Sequence, residues 1–194
     1  QDVDNFDFAS LGEKITVSFG FTKERYTTEE IQNPGQEIVV PEGITEIGQF
    51  TFYGCKALEH AAFMGNISSI GESAFADCTQ LRNINLPQEL SALGASAFEN
   101  CSTLTGISLP AGVKRIDANT FRDCSSLESV KIGNNVTEIE YSAFEECSNL
   151  TSVTIGNSVT SIGDSAFHGC SSLTSVTIPD NVTEIGSWAF AGCI

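Results

Sequence analysis

The seven cysteines of this chain recur at a constant spacing of 23 residues, at positions 55, 78, 101, 124, 147, 170 and 193. A phenylalanine column keeps the same step three residues ahead of each cysteine, at positions 52, 75, 98, 121, 144, 167 and 190. A fixed period of this length, held without an insertion, is the sequence sign of a solenoid in which each coil stacks on the next. The spacing therefore restricts most of the chain to a repeat fold.

Each unit begins with the pattern of a β-strand. Residues 173–179 read LTSVTIP, with apolar side chains at Leu173, Val176 and Ile178. Val176 and Ile178 alternate with polar residues, as in a strand that is buried on one side. Pro or Gly, which end or weaken a strand ladder, follows this pattern at positions 41, 87, 110, 133, 156 and 179. We expect the strands of successive coils to stack in parallel.

The second half of each unit has the apolar spacing of a short helix. Ile162, Ala166 and Cys170 are separated by four residues, which places them on one side of about two helical turns. The residues directly before the cysteines are mostly types that tolerate a left-handed backbone, so we expect the helix to end there. These residues are Gly54, Asp77, Asn100, Asp123, Glu146, Gly169 and Gly192.

The whole unit matches a known repeat. Residues 150–170 and 173–193 read L-x-x-V-x-I, then Gly or Pro, then x-x-V-x-x-I-G-x-x-A-F-x-x-C. This pattern resembles the BspA-like leucine-rich repeat of bacterial cell-surface proteins, over about residues 36–194. The resemblance implies an α/β solenoid, a right-handed array of 23-residue coils with a parallel concave β-sheet and short helices on the opposite face. It also implies a secreted or surface-displayed protein, as most members of the family are. Some members are adhesins for host matrix proteins or other cells, which implies a similar role here.

The two ends of the chain differ from the repeats. Residues 1–36 lack the period and are predicted to be an N-terminal capping segment, with a strand at 13–21. The apolar cover that a terminal coil needs would come from Phe6, Phe8, Phe19 and Phe21. Residues 37–194 then form an array of about seven coils. We expect this array to be truncated at its C-terminus, with further repeats or domains beyond Ile194.

Charge and hydropathy exclude two classes of partner. Nine Lys and Arg against 25 Asp and Glu give a net charge of −16. Nucleic-acid binding needs clustered cations that displace counterions from phosphates, and anionic membrane surfaces attract basic segments. The longest apolar runs in the sequence are far shorter than the roughly 18 residues that predict a transmembrane helix. We expect neither nucleic-acid binding nor membrane insertion.

The cysteines and histidines leave three interpretations open. Stacked cysteines lie close enough for disulfides, but each belongs to an apolar column, which favours buried thiols. Zinc sites use paired spacings such as C-x-x-C, and the sequence has none. His168 precedes Cys170 by two residues, a spacing that suggests a Cys–His dyad, but six sister units carry the cysteine without the histidine. With no catalytic or nucleotide-binding motif present, we predict a protein that is not an enzyme and has no metal or cofactor.

The outward positions of the strands are the best candidate for a binding surface. They vary in the first four units and are uniformly Ser or Thr in the last two, for instance Thr151, Ser152 and Thr154. Variation within a regular array is where a partner would be recognised. The candidate residues of this concave face are Glu59, His60, Arg82, Asn83, Asn85, Glu128 and Lys131.

These observations predict a non-enzymatic, extracellular, adhesin-like module that binds a protein, either a host matrix protein or another surface protein. The alternative is a structural spacer within a larger surface protein, with no ligand of its own. A glycan site is disfavoured on the concave face because its columns contain no aromatic ring. Tyr53, Tyr141 and Trp188 fall in the predicted helical half instead, where we expect Trp188 to pack against the phenylalanines.

Overall fold

The computed structural model describes the backbone of residues 14–16 and all of residues 37–194. These residues form fourteen short β-strands. In chain order they are β1 (Lys14–Thr16), β2 (Glu37–Val40), β3 (Glu46–Ile47), β4 (His60–Phe63), β5 (Ser69–Ile70), β6 (Asn83–Ile84), β7 (Ala92–Leu93), β8 (Gly106–Ser108), β9 (Arg115–Ile116), β10 (Ser129–Lys131), β11 (Glu138–Ile139), β12 (Ser152–Thr154), β13 (Ser161–Ile162) and β14 (Glu184–Ile185).

The strands form two lines along the solenoid. The first strand line contains a sheet in the order β1-β2-β4-β6 and a sheet in the order β12-β10-β8. The second strand line contains the sheets β3-β5-β7 and β14-β13-β11-β9. Every pair is parallel and joins residues 23 positions apart, as in Ile38 with Ala61 and Val130 with Val153. The predicted parallel solenoid is confirmed, and the second line is a feature that the sequence patterns did not predict.

The step of 23 residues also reaches into the predicted capping segment. Strand β1 pairs with β2 in parallel, with Lys14 opposite Glu37. This strand lies within the segment 13–21 that was predicted to be extended. The rest of the predicted capping segment, including Phe6, Phe8, Phe19 and Phe21, lies outside the described residues.

The predicted short helices are wrong: no residue of the described range 37–194 is helical, and the segments before the cysteines are turns. Each of these turns contains two residues with positive φ, four positions apart, such as Ser73 (51°) with Asp77 (61°) and Ser142 (52°) with Glu146 (59°). The residues directly before the cysteines are left-handed throughout, as predicted. A second left-handed residue within the same turn is incompatible with a continuous right-handed helix.

Backbone hydrogen bonds explain why the turns replace helices. The amides of Ser73, Phe75 and Asp77 donate to carbonyls of the next coil, at 3.0, 2.9 and 2.8 Å. The amides of Ala74 and Ala76 between them donate within their own coil, to residues three positions earlier. Alternate peptide groups therefore link the coils, whereas a helix would direct all of them within the coil.

The core consists of stacked columns of identical or similar side chains. Phe52, Phe75, Phe98, Phe121, Phe144 and Phe167 are fully buried. Neighbouring rings from Phe75 to Phe190 lie parallel, with centroids 5.1 to 5.7 Å apart. This spacing falls in the range in which offset aromatic rings attract each other.

The last coil departs from the predicted pattern. Residues 173–179 are not a strand, and Val176 and Ile178 are only partly buried. Trp188 was predicted to pack against the phenylalanines but is 73% exposed. A described coil packs against this one on a single side only, which leaves Trp188, Val176 and Ile178 exposed or partly exposed, although β14 of the same coil still pairs with β13.

Replacing Phe121 with Ala removes one ring from the middle of the stack. We expect the free energy of unfolding to fall by about 3–5 kcal/mol, the cost of a large cavity in a packed core. Urea unfolding followed by far-UV circular dichroism measures the change. Tyr141→Ala is the control, since this ring is exposed and its loss should change stability by about 0.5 kcal/mol or less. A Phe121→Ala variant as stable as the parent would contradict the packing of the column.

The left-handed turns predict a specific dependence on side-chain branching at Ser142. Val at this position should make the chain less stable than Gly by about 1–2 kcal/mol, because a Cβ clashes with the backbone at positive φ. Thermal unfolding of the two variants gives the difference. Ser129→Val is the control, because Ser129 lies exposed in β10, where a branched side chain is favourable. A Ser142→Val variant as stable as Ser142→Gly, or more stable, would contradict the left-handed backbone at this position.

Candidate functional site

Five of the seven predicted site residues come together on the first strand line. His60 in β4 and Asn83 in β6 are register partners, and Nδ1 of His60 lies 3.2 Å from Oδ1 of Asn83, so that the imidazole N–H donates to the amide oxygen. Arg82 and Glu59 stand beside them, with 3.6 Å between the guanidinium Nε and the carboxylate. Asn85 follows β6 and is exposed. These residues form one continuous polar patch, here called the β4–β6 patch.

The other two predicted residues form a separate pair. Lys131 lies at the end of β10, and Glu128 immediately precedes that strand. Their coil is separated from the β4–β6 patch by the coil of β8, whose outward residues Thr105 and Ser108 are small. Glu128 and Lys131 are both exposed, and their side chains form no ion pair within the described part of the chain. The structure therefore divides the predicted site into two clusters.

Backbone hydrogen bonds hold both clusters in fixed positions. The amide of Arg82 donates to the carbonyl of Glu59 at 3.1 Å, and the amide of Glu128 donates to that of Thr105 at 3.1 Å. The Arg82–Glu59 ion pair itself is exposed and contributes little to stability. The side chain of Arg82, which is 56% exposed, is therefore accessible to a partner, while backbone hydrogen bonds hold the strand that carries it.

A second group of charges lies on the second strand line and was missed by the sequence analysis. Arg115 in β9 approaches the carboxylates of Asp117 at 2.5 Å, Glu140 at 3.6 Å and Glu138 at 4.0 Å. The hydrogen bond to Asp117 and the neighbouring carboxylates raise the pKa of Arg115. Arg115 and Glu138 are exactly one coil apart, so the column of 23-residue steps was the signal that could have found this cluster.

The turn face carries a column of alternating charge that the sequence analysis also missed. Arg122 lies 3.8 Å from Glu99 in the preceding coil and 3.2 Å from Glu145 in the following one. His168, one coil further, approaches Glu145 at 3.6 Å and Glu146 at 3.7 Å. The side chain of His168 therefore faces carboxylates, while the thiol of Cys170 donates to the carbonyl of Phe144 at 3.2 Å. The two residues do not form a Cys–His dyad.

The cysteines are free thiols, six of them buried and Cys193 partly buried, which confirms their predicted place in the core. Each thiol from Cys78 to Cys193 donates to the carbonyl of a phenylalanine 26 residues earlier, at 3.1 to 3.3 Å. Burial raises the pKa of Cys124 and Cys147, and that of Cys170 to about 12. A thiol with a raised pKa is a poor nucleophile because the thiolate is the reactive form.

Two further properties concern metals and membranes. Within the part of the chain that the structure describes, no group of three or more His, Cys, Asp and Glu side chains is arranged to hold a metal ion. Across residues 14–16 and 37–194, the structure has no long apolar helix of the kind that crosses a bilayer.

The fold and its polar patches define a leucine-rich repeat solenoid with parallel strands and coils of about 23 residues. The model of the BspA type leucine rich repeat region matches residues 31–150 and 92–194, in six copies. The chain belongs to this family. A comparison with proteins of curated function gave no match.

Three solved structures show the same fold. A leucine-rich repeat protein of T. pallidum is 34% identical over 82% of this chain and 77% of its own length, with a TM-score of 0.78. A leucine-rich repeat protein from Eubacterium ventriosum is 25% identical over 84% of this chain, with a TM-score of 0.76. A leucine rich cell surface protein from Faecalibacterium prausnitzii is 27% identical over 82% of this chain, with a TM-score of 0.52. The match spans 46% and 52% of these last two proteins, about half their length.

The burial of the thiols predicts their order of reaction with iodoacetamide. In the native chain at pH 8 we expect Cys193 to be alkylated first and the buried thiols to be protected, because burial suppresses both access and the thiolate form. Mass-spectrometric mapping after a short exposure measures this order. In the denatured control all seven cysteines should react. Rapid native labelling of Cys101 or Cys124 would contradict the described core.

Proposed function

We propose that the chain is a non-enzymatic, extracellular protein-binding module of a cell-surface protein, and that it binds through the first strand line. The observation that carries this proposal is the concentration of exposed charge in the β4–β6 patch and at Glu128 and Lys131. In the coils of β8 and β12 on the same strand line the outward residues are small, as at Ser108, Ser152 and Thr154. A partner of complementary charge would therefore find more specific contacts at these two clusters than at β8 or β12.

The spacing of the two clusters supports a partner with an extended surface. Strands in a sheet are about 4.8 Å apart, so Arg82 and Lys131 are separated by roughly two such steps along the array. Binding by both clusters at once would need a ligand that spans about 10 Å of the sheet, which the surface of a folded protein does readily. Rigid presentation of the side chains lowers the entropy that binding costs.

The family supports the proposed location and partner class. Leucine-rich repeats commonly mediate contacts between proteins, and one of the matched structures is of a cell surface protein. We therefore propose a secreted or surface-displayed protein, adhesin-like in function, whose partner is a host matrix protein or another surface protein. Because two of the three matched proteins are about twice as long as the matched region, we further propose that the array is one part of a longer protein.

The uniform Ser and Thr columns favour a second candidate function, a structural spacer. Thr151 and Thr160 donate their hydroxyls to carbonyls of the preceding coil, at 3.0 and 3.2 Å. Such side chains strengthen the stack without presenting distinctive chemistry. A spacer would need only this stiffness and would be indifferent to changes at Arg82 or Lys131.

A triple substitution separates the two functions. Replacing Arg82, Glu128 and Lys131 with Ser should abolish saturable binding to immobilised fibronectin, laminin or collagen, whichever the parent binds, without changing the melting temperature. The matched control replaces Lys114, Arg115 and Glu138 with Ser, which removes the same set of charges from the second strand line. Surface plasmon resonance with the three chains measures the effect. Equal loss in both variants would point to net charge alone, and no binding by the parent would favour the spacer.

A further inference from the structure

A groove on the turn face is separate from the first strand line and has a different chemistry. It has a volume of about 290 Å³ and is lined by residues that include Tyr53, Asp77, Glu99, Asn100 and Asp123. These side chains come from four successive coils. The groove thus runs along the stack and crosses the turns that precede the cysteines.

The polar side of the groove is a fixed column of carboxylates and an amide. Asp77, Asn100 and Asp123 stand directly before a cysteine in three successive coils, all at positive φ between 55° and 61°. The amide group of Asn100 donates to the carboxylate of Asp77 at 2.7 Å. Backbone hydrogen bonds between coils hold the column at a constant step. The amide of Asp77 donates to the carbonyl of Glu99, and the amide of Asn100 donates to that of Arg122, both at 2.8 Å.

The other side of the groove is an exposed aromatic ring with a fixed orientation. Tyr53 is 44% exposed, and the pKa of its hydroxyl is raised by hydrogen bonding to the neighbouring carboxylate of Asp77 and by the charge of that carboxylate. The ring also packs edge to face against Phe50, with centroids 6.0 Å apart. A large apolar ring held at the surface beside hydrogen-bonding groups is unusual in a solvated face, which normally carries flexible polar side chains.

Two observations argue against a metal ion and against an anion as the ligand of this groove. Calcium requires six to eight oxygen ligands in one shell, and no such metal-holding group occurs among the described residues. Arg122 lies 3.8 Å from Glu99 and 3.6 Å from Asp123, which offsets part of the negative charge at that end of the groove. The remaining carboxylates would repel an anion, while hydroxyl groups could donate to them.

We propose that this groove binds a neutral oligosaccharide. The C–H face of one pyranose ring stacks on Tyr53, and its hydroxyls bond to Asp77, Asn100 and Asp123. A sugar presents an apolar C–H face and several hydroxyl groups. A protein site matches them with an aromatic ring and with planar polar side chains, and this groove contains both. The linear column of polar groups, repeated once per coil, suits a chain of sugar units rather than a single one.

Isothermal titration of the purified chain with cellopentaose, chitopentaose and mannopentaose tests the proposal, with polygalacturonate as an anionic comparison. We expect saturable binding of at least one neutral pentasaccharide and none of polygalacturonate. Tyr53→Ala should weaken binding about tenfold or more, the equivalent of losing one aromatic contact. Tyr141→Ala is the matched control, because it removes a similarly exposed tyrosine outside the groove.

A second variant keeps the test decisive if Tyr53→Ala lowers the melting temperature. Asn100→Gly removes the amide but preserves the left-handed backbone, as Gly169 and Gly192 do in later coils, and should also weaken binding. The proposal is overturned if the parent binds none of the three pentasaccharides, if both groove variants bind as the parent does, or if only polygalacturonate binds. The triple-Ser variant of the first strand line should bind the sugar normally, which separates this site from the proposed protein-binding surface.

Discussion

The structure depends on the division of backbone hydrogen bonds in the turns. Alternate amides of each turn donate to the next coil, as those of Ser73 and Phe75 do, and the amides between them close the turn itself. This division requires two left-handed residues in every turn. Their conformational strain is offset because nearly every peptide group in the turn then finds a partner. With the two strand lines, the turns connect each coil to its neighbours on three sides.

A constant step between coils turns every sequence position into a column. Inside the solenoid, the columns produce the stack of phenylalanine rings and the line of buried thiols, each bonded to a backbone carbonyl. Outside, the same step brings charges of opposite sign together, as at Glu99, Arg122 and Glu145. A substitution at one surface position therefore affects mainly the residues that lie 23 positions before and 23 positions after it in the sequence.

The columns also separate possible functions onto different faces. Arg82 and Lys131 lie on the first strand line, where neighbouring residues are mostly small. Tyr53 and Asp77 lie on the turn face, where the left-handed backbone directs polar side chains into a groove. Because the coils are rigid, each face can vary without disturbing the core. This independence explains how a chain with such a regular interior can present two chemically distinct surfaces.

The sequence by itself determined the repeat, the core columns and the left-handed position before each cysteine, since the period of 23 and the burial of Phe121 or Cys124 follow directly from the pattern. Only the tertiary structure decided that the turns are not helices, that a second strand line exists, and that Trp188 is exposed. It also decided which polar residues meet, such as His60 with Asn83 and Tyr53 with Asp77. The physical reason is that a local pattern shows which side chains point inward, whereas the hydrogen-bond partner of each peptide group lies a whole coil away.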